Sequence, residues 1–237
     1  MGKPVSIAID GPAGSGKTTI GSALASRLGY LFLDTGVVYR AATLAALRAG
    51  VPIGDEVAVT RTAETMRLDV VPSAVEDGRF YTVLLDGEDV TWQLRAAEVE
   101  ANVSPVSAYP GVRRALLGQQ QRVARRGSVV VVGRDIGTVI LPDADLKIYL
   151  DASAEERACR RYRELLDRGI VRSFDEILGN VNERDRVDSG RAVAPLRAAA
   201  DAYRVDTTGV GIPEVLRRIE EIVTQCDCGD GNETGSH

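Results

Sequence analysis

The residues best suited to chemistry lie near the start of the chain, in a glycine-rich segment. Gly11-Pro12-Ala13-Gly14-Ser15-Gly16-Lys17-Thr18 matches G-x-x-x-x-G-K-[ST] throughout, between a predicted strand and a predicted helix, which is the context that this motif requires. Glycines let backbone amides converge on phosphate oxygens, and the helix N-terminus adds positive charge at the same place. The segment therefore predicts a nucleotide phosphate site, with a fortuitous glycine turn as the alternative.

Individual residues of this loop predict separate parts of an ATP site. Lys17 is expected to neutralise the β and γ oxygens, and the Thr18 hydroxyl to complete the shell of a magnesium ion that bridges them. Mg2+ with ATP is thus the expected cofactor, and Thr18 its protein ligand. The predicted ATP-binding residues are Gly11, Pro12, Ala13, Gly14, Ser15, Gly16, Lys17, Thr18 and Thr19.

The remaining sequence narrows the class of P-loop protein. A GTPase would be expected to carry a guanine-reading Asn-Lys-x-Asp, and the nearest segment here is Asn182-Glu183-Arg184-Asp185. An ATPase motor would usually end the apolar run 129–132 in an acidic pair, whereas this run is followed by Gly133-Arg134-Asp135. An arginine at a strand end suits a phosphate-binding crevice. Small-molecule kinases are the class that remains.

Short apolar runs predict the strands that must position these residues. They occupy 5–9, 31–33, 129–132, 146–150 and 203–205, and near-continuous apolar strands are typical of a parallel sheet covered on both faces. Apolar stripes at helical spacing predict helices over 17–28 and 212–223. Ser followed three residues later by Glu predicts helix starts at Ser153 and Ser173. The predicted fold is α/β, a three-layer P-loop NTPase fold with a five-stranded parallel sheet flanked by helices.

Three other segments have sequence patterns that differ from those of the parallel sheet and its helices. Alternating residues at 67–71 and 81–87, with Asp77-Gly78 between them, predict a small antiparallel insert at about 61–100. Arg157, Arg160 and Arg161 share one helix face, which predicts a helical lid at about 154–172 that closes over the triphosphate; a solvated face paired with nearby glutamates is the alternative. Residues 226–237 predict a flexible tail after a single domain at 1–225.

Composition limits the partners. With 34 acidic against 29 basic residues, the net charge is -5, which gives no general attraction to nucleic acid or to an anionic membrane. No run approaches the ~20 apolar residues of a membrane span. The three cysteines are an odd count without a signal segment, which predicts free thiols and a cytoplasmic protein.

An ordered set of motifs carries a family resemblance. Asp34-Thr35-Gly36 and Tyr39-Arg40-Ala41 come first, Gly133-Arg134-Asp135-Ile136-Gly137-Thr138 follows, and Arg191-Ala192-Val193-Ala194-Pro195-Leu196 comes last. With the glycine loop and 110–117 they cover residues 5 to about 225, and the chain resembles the bacterial cytidylate kinases of the P-loop nucleoside monophosphate kinase superfamily. The resemblance implies transfer of the γ-phosphate of ATP to CMP or dCMP by a monomer, with the insert binding the monophosphate.

Arginines and one carboxylate are the expected acceptor residues. Guanidinium groups match phosphate oxygens, so Arg40, Arg134 and Arg191 are predicted to hold the acceptor phosphate, with a plain surface role as the alternative for Arg40. The resemblance adds Thr35, Ser104, Arg113 and Asp135 around the base, and Arg184 and Asp188 near the ribose. A carboxylate at Asp135 would accept from the exocyclic amine of cytosine and repel the carbonyl of uracil; a salt bridge to a neighbouring arginine is its alternative role.

Two positions depart from the family pattern. The family usually reads Glu-Arg-Asp-x-Arg-Asp, where this chain has Val187 in place of the second arginine, and it commonly has an acidic residue where this chain has Val132. The change at Val187 bears on recognition of the sugar, and the change at Val132 bears on whatever group the family's carboxylate orients.

Transfer to a phosphate acceptor needs no general base, because the second pKa of a phosphate is close to 6. It needs charge neutralisation and in-line placement, for which Lys17, Arg134, Arg157 and Arg161 are the predicted catalytic residues. Two other functions stay open on the sequence alone. One is a kinase for a hydroxyl acceptor with Asp135 as base, and the other is a regulatory protein that binds ATP without a second substrate.

Overall fold

A computed structural model describes residues 5–228, and side chains as far as residue 226. In chain order the elements are β1 (Ser6–Asp10), α1 (Lys17–Leu28), β2 (Leu31–Asp34), α2 (Gly36–Arg48), α3 (Glu56–Thr65), β3 (Leu68–Pro72), β4 (Tyr81–Leu85), β5 (Glu88–Asp89), a 3-10 turn (Gln93–Arg95), α4 (Ala97–Ala108), α5 (Pro110–Ala124), β6 (Val129–Gly133), a π turn (Ile136–Ile140), β7 (Leu146–Asp151), α6 (Ala154–Asp167), α7 (Phe174–Ser189), β8 (Tyr203–Asp206) and α8 (Ile212–Cys228).

The five predicted apolar runs all form strands, which confirms the α/β prediction. They make one parallel sheet in the order β2-β6-β1-β7-β8. Ile7 pairs with Leu146 and Ile148 with Tyr203, and the first three of these side chains are almost completely buried. Such strands are apolar on both faces because helices cover both sides of the sheet.

The described chain forms two compact units. Unit 1 contains residues 5–29 and 132–228, and unit 2 contains residues 30–131. In unit 1, α8 buries Val215, Leu216, Ile219 and Val223 on one stripe, and Arg27 of α1 pairs with Glu220 of α8 at 2.6 Å. The helix continues to Cys228, past the boundary predicted at 225. The rest of the predicted tail lies outside the described residues.

The predicted starts of α6, the arginine-rich helix, and of α7, the helix after it, are both confirmed. The Ser153 and Ser173 hydroxyls accept from the amides of Glu156 and Glu176, at 3.1 and 3.2 Å, so each serine caps its helix. The helices α6 and α7 then pack on each other through Ala158, Leu165 and Ile177. This packing fixes which side of α6 faces inward.

Unit 2 contains the predicted antiparallel segment. The strands β3, β4 and β5 form a three-stranded antiparallel sheet, with Leu68 opposite Leu85 and Val70 opposite Val83. The alternating sequence runs on to Gly87, but β4 ends at Leu85, because Asp86 and Gly87 have φ values of 51° and 89° and form the two-residue turn into β5. Helices α3 and α4 flank this sheet in the sequence, where the prediction had only an antiparallel insert.

None of the helices within residues 5–228 combines the length and apolar content that crossing a bilayer would need.

Candidate active site

The glycine loop of unit 1 joins β1 to α1 along a path that requires glycine at two positions. Gly11 has φ +150°, and a Cβ there would lie 2.0 Å from the Leu150 carbonyl oxygen. Gly16, with φ +92°, immediately precedes α1. Only glycine fits at a position where the backbone passes this close to β7, and glycine is favoured where the backbone adopts a left-handed conformation just before the helix. The loop therefore has the local form that phosphate binding at a helix N-terminus requires.

Lys17 lies folded over this loop. Its side chain is buried, and its Nζ donates to the Pro12 carbonyl oxygen at 2.6 Å and lies 3.4 Å from the Ser15 hydroxyl. Thr18 and Thr19 lie exposed in the first turn of α1. The chain thus presents one ammonium group and accessible hydroxyls at the helix N-terminus.

The hydroxyl groups fit a magnesium ion that is bound together with a nucleotide. Within the described residues, no three or more His, Cys, Asp or Glu side chains cluster as a metal cage. Mg2+ is commonly held by one or two protein oxygens together with phosphate oxygens and water. The Thr18 hydroxyl is a protein oxygen of this kind.

Asp10 is a site residue that the sequence reasoning missed. It ends β1, is 3% exposed, and accepts from the amides of Ile136 and Gly137 at 2.7 and 2.8 Å. Burial raises the pKa of Asp10 to about 6, and these two hydrogen bonds oppose the rise; the charge of Asp135 raises the pKa further and Lys17 lowers it. Asp10, the residue directly before the glycine loop, thereby fixes the turn that follows Arg134 and Asp135.

Three predicted acceptor residues meet in unit 1. Asp188 is 2% exposed, and its carboxylate accepts from the Nε of Arg134 at 2.8 Å and from Arg191. Burial raises the pKa of Asp188, but the charges of Arg134, Arg191 and Arg184, and the hydrogen bond from Arg134, more than offset it, so the pKa lies below its usual value. Asp135 is also buried, next to Arg134 in the chain. The structure thus forms an arginine–carboxylate–arginine cluster.

The three arginines of α6 that were predicted to share one helix face have three different environments. Arg157 is 4% exposed and its guanidinium forks onto Asp185 at 2.9 and 2.6 Å. Arg160 is half-buried and donates to Glu156 at 2.9 Å, while Arg161 is exposed and donates to Glu164 at 2.8 Å. The pairing with glutamates that the sequence left as an alternative is therefore present for two of the three, and Asp185 is a partner that sequence reasoning did not assign.

Arg184 lies exposed on α7 of unit 1, and unit 2 holds the remaining predicted acceptor residues. Thr35 is buried just before α2, and Ser104 is exposed on α4. Arg40 pairs with Glu100 at 3.0 Å. Arg113 is buried, with its guanidinium 5.3 Å from the centre of the Tyr39 ring and a hydrogen bond to the Ser107 carbonyl at 3.2 Å.

A parallel sheet with a glycine loop feeding a helix, beside buried arginine pairs, defines a P-loop nucleotide-binding protein. The cytidylate kinase family model matches residues 7–225, and the chain belongs to the cytidylate kinase family.

Similar proteins span nearly the whole chain. A cytidylate kinase from Herpetosiphon aurantiacus is 50% identical over 92% of this chain and 94% of its own length, and one from Chloroflexus aggregans is 53% identical over 80% and 82%. A cytidylate kinase from Exiguobacterium sp. is 46% identical over 95% and 99%. A solved gluconokinase from Sinorhizobium meliloti 1021 matches 96% of this chain and 95% of its own at 16% identity, with a TM-score of 0.46.

Proposed function

We propose that this chain transfers the γ-phosphate of ATP to CMP or dCMP, which yields ADP and CDP or dCDP. The observation that carries the proposal is that one compact unit presents both a glycine loop with a buried lysine and an arginine pair held by Asp188. The cytidylate kinases that match at 46–53% identity support the choice of acceptor. Neither a hydroxyl-acceptor kinase nor a non-catalytic regulator is favoured by this family assignment.

On the donor side, the loop amides and Lys17 bind the β- and γ-phosphates of ATP. A magnesium ion bound to the Thr18 hydroxyl and the phosphates would supply further charge neutralisation. The remaining predicted ATP-binding residues, from Gly11 to Thr19, shape this loop and the first helical turn. Because the phosphate acceptor is itself an anion near neutral pH, the protein positions and neutralises charge rather than removing a proton.

On the acceptor side, Arg134 and Arg191 bind the phosphate of CMP, and Asp188 holds both guanidinium groups in place. Each Asp188 oxygen keeps lone-pair capacity, so the carboxylate can also accept a hydrogen bond from a ribose hydroxyl. The positive charge of Arg184 also acts on this carboxylate. Arg40, Thr35, Ser104 and Arg113 of unit 2 remain predicted acceptor residues. Asp135 reads the exocyclic amine of cytosine.

Arg161 is the exposed one of the two lid arginines that were predicted to be catalytic, and it reaches the transferring phosphate when the lid closes. Its partner Glu164 is exposed as well, and exposed pairs of this kind are weak and easily exchanged. Arg157 was predicted in the same role, but its buried fork supports a different one, developed in the next subsection.

The proposal is tested by ADP release with a panel of acceptors. The chain is incubated with Mg-ATP and CMP, dCMP, UMP or shikimate, and ADP is measured by a coupled assay. Stimulation by CMP and dCMP well above UMP is expected. Stimulation by shikimate alone would support a hydroxyl-acceptor kinase, and no stimulation by any acceptor would support a regulator; either result would refute the proposal.

The proposal includes a monomer that acts on small nucleotides in the cytoplasm. Cys159 and Cys226 are free thiols, which suits a reducing compartment. Light scattering of the purified chain tests the monomer, since a mass near twice 25.4 kDa would contradict it.

A further inference from the structure

Successive carbonyl groups of the glycine loop all accept hydrogen bonds from side chains. Lys17 Nζ lies 2.6 Å from the Pro12 oxygen, Arg157 Nη1 lies 3.2 Å from the Ala13 oxygen, Arg160 Nη1 lies 3.4 Å from the Gly14 oxygen, and Thr207 Oγ1 lies 3.3 Å from the Ser15 oxygen. The last three donors come from outside the loop. Two of them were predicted to be lid residues, and Thr207 was not predicted to have any role.

The direction of a carbonyl decides the direction of the next amide. In a planar trans peptide, the C=O of one residue and the N–H of the next point in opposite directions. Holding the Ala13 and Ser15 oxygens against Arg157 and Thr207 therefore aims the amides of Gly14 and Gly16 away from those side chains. The amide of Ser15 also makes a long bond to Pro12, at 3.4 Å. Glycines at 14 and 16 would otherwise allow these peptides to rotate.

Each of the three outside donors is itself fixed by other contacts. Arg157 is buried, with its fork on Asp185 and its Nε on the Ala152 carbonyl at 2.9 Å. Its position therefore does not depend on the loop. A guanidinium group that a carboxylate already holds in place loses little conformational freedom when it makes one more hydrogen bond. The contact to the Ala13 carbonyl therefore has a small cost in conformational entropy.

Thr207 and Arg160 are linked to each other. Thr207 is 2% exposed, and Arg160 donates to its hydroxyl at 3.1 Å and to its carbonyl at 2.6 Å. The single hydroxyl hydrogen of Thr207 is shared between Ser15 and the Asp151 carbonyl, which lies at 3.0 Å and already accepts from the Thr207 amide at 2.9 Å. A carbonyl oxygen has two lone pairs, so the Asp151 oxygen can accept from both the amide and the hydroxyl of Thr207 while the hydroxyl also contacts the Ser15 oxygen.

We propose that Arg157, Arg160 and Thr207 are positioning residues, which hold the carbonyls of residues 13–15 and thereby aim the loop amides at the triphosphate of the donor. They act on the loop and not on the transferring phosphate. The inference rests on the proposed function only in taking a triphosphate as the ligand, and it does not depend on the identity of the acceptor.

The test measures binding of inorganic tripolyphosphate with magnesium to the full chain by calorimetry. The variants are Thr207→Val, Arg160→Met and Arg157→Lys, and the double variant Thr207→Val/Arg160→Met. Losing one such bond is expected to weaken tripolyphosphate binding about fivefold to tenfold, and the double variant more. Affinity for CMP and the midpoint of thermal unfolding should stay close to those of the wild type in Thr207→Val and Arg160→Met.

Matched controls are Thr224→Val and Arg217→Met on α8, whose side chains are exposed and bond only within that helix. Unchanged tripolyphosphate affinity in both Thr207→Val and Arg160→Met would overturn the inference. So would an equal loss of CMP affinity, because it would show a general structural role. If Arg157→Lys does not fold, the other two variants still decide. If the wild type binds tripolyphosphate but CMP does not stimulate ADP release, the proposed function fails and the inference is judged separately.

Discussion

An ion-pair cluster of unit 1 and an ion pair of unit 2, both among the proposed site residues, differ in how far they are buried. In unit 1 the Asp188 side chain is 3% exposed and its partners Arg134 and Arg191 are 20% and 14% exposed. In unit 2 Arg40 and Glu100 are 27% and 50% exposed. Breaking a buried ion pair by removing one partner costs about 3–5 kcal/mol, whereas an exposed pair contributes about 0.2–1 kcal/mol. The Asp188 cluster of unit 1 therefore also supports the fold, whereas the Arg40–Glu100 pair of unit 2 can be changed with less structural cost.

Lys17→Ala is expected to have the largest effect of all on turnover. Removing the ammonium group that neutralises the β- and γ-phosphates should lower kcat/KM at least a thousandfold, roughly 4 kcal/mol of transition-state stabilisation. The coupled ADP assay measures this loss, and circular dichroism checks that the variant is folded. Near-normal turnover would remove Lys17 from the site.

Asp188→Asn tests the buried side of the comparison through stability. The variant leaves two largely buried guanidinium groups against a neutral amide, so the free energy of unfolding should fall by about 3 kcal/mol. Urea denaturation of the nucleotide-free chain gives the value. A fall of less than about 0.5 kcal/mol would mean that this cluster contributes no more than an exposed ion pair. The Asp188 cluster would then not differ in stability from the Arg40–Glu100 pair.

Asp10→Asn separates burial from ion pairing within unit 1. Because the folded pKa of Asp10 is about 6 against an ordinary 3.8, the folded chain binds this proton more tightly than the unfolded chain. The wild type should therefore lose up to roughly 3 kcal/mol of stability from this group as pH rises from about 4 to about 6.

Asparagine does not titrate, so the stability of Asp10→Asn relative to the wild type should rise across the same pH window. Urea denaturation at several pH values between 4 and 7 measures the difference. A difference that is constant with pH would show that the pKa of Asp10 is not raised in the folded chain.

Asp135→Asn is expected to change selectivity more than rate. An amide can either donate or accept, so the discrimination of CMP from UMP should fall by about tenfold, ~1.4 kcal/mol. The ratio of kcat/KM for the two acceptors is the measurement. An unchanged ratio with intact turnover would support the salt-bridge role for Asp135 instead.

Glu100→Gln should have the smallest effect. It removes the exposed partner of Arg40, so the free energy of unfolding should change by less than about 0.5 kcal/mol. Denaturation under the conditions used for Asp188→Asn makes the two values comparable. A loss as large as that of Asp188→Asn would mean that exposure does not decide the cost of breaking these pairs.

Local pattern was enough to predict the strands and the helix caps. Apolar runs placed the five strands of the parallel sheet, and the serines at 153 and 173 cap their helices as predicted. The end of β4 was less accurate, because Asp86-Gly87 continues the alternation in sequence but adopts a turn. An Asp-Gly pair is a known hairpin signal and could have been used there.

Long-range partners could not be predicted in the same way. The carboxylate of Asp10 finds its amides 126 and 127 residues away, and Thr207 reaches Ser15 across 192 residues. Helical spacing placed Arg157 and Arg161 on neighbouring positions, but the packing of α6 on α7 determines that one is buried and the other exposed. The sequence therefore indicated the chemistry of most site residues without their mutual contacts.

The discontinuity of unit 1 has a consequence for biosynthesis. Residues 5–29 belong with residues 132–228, whereas unit 2 is one continuous segment. A nascent chain emerges N-terminal end first, and contacts distant in sequence form slowly. We therefore expect the glycine loop to be translated before unit 2 and to become native only after the ribosome has released that intervening segment.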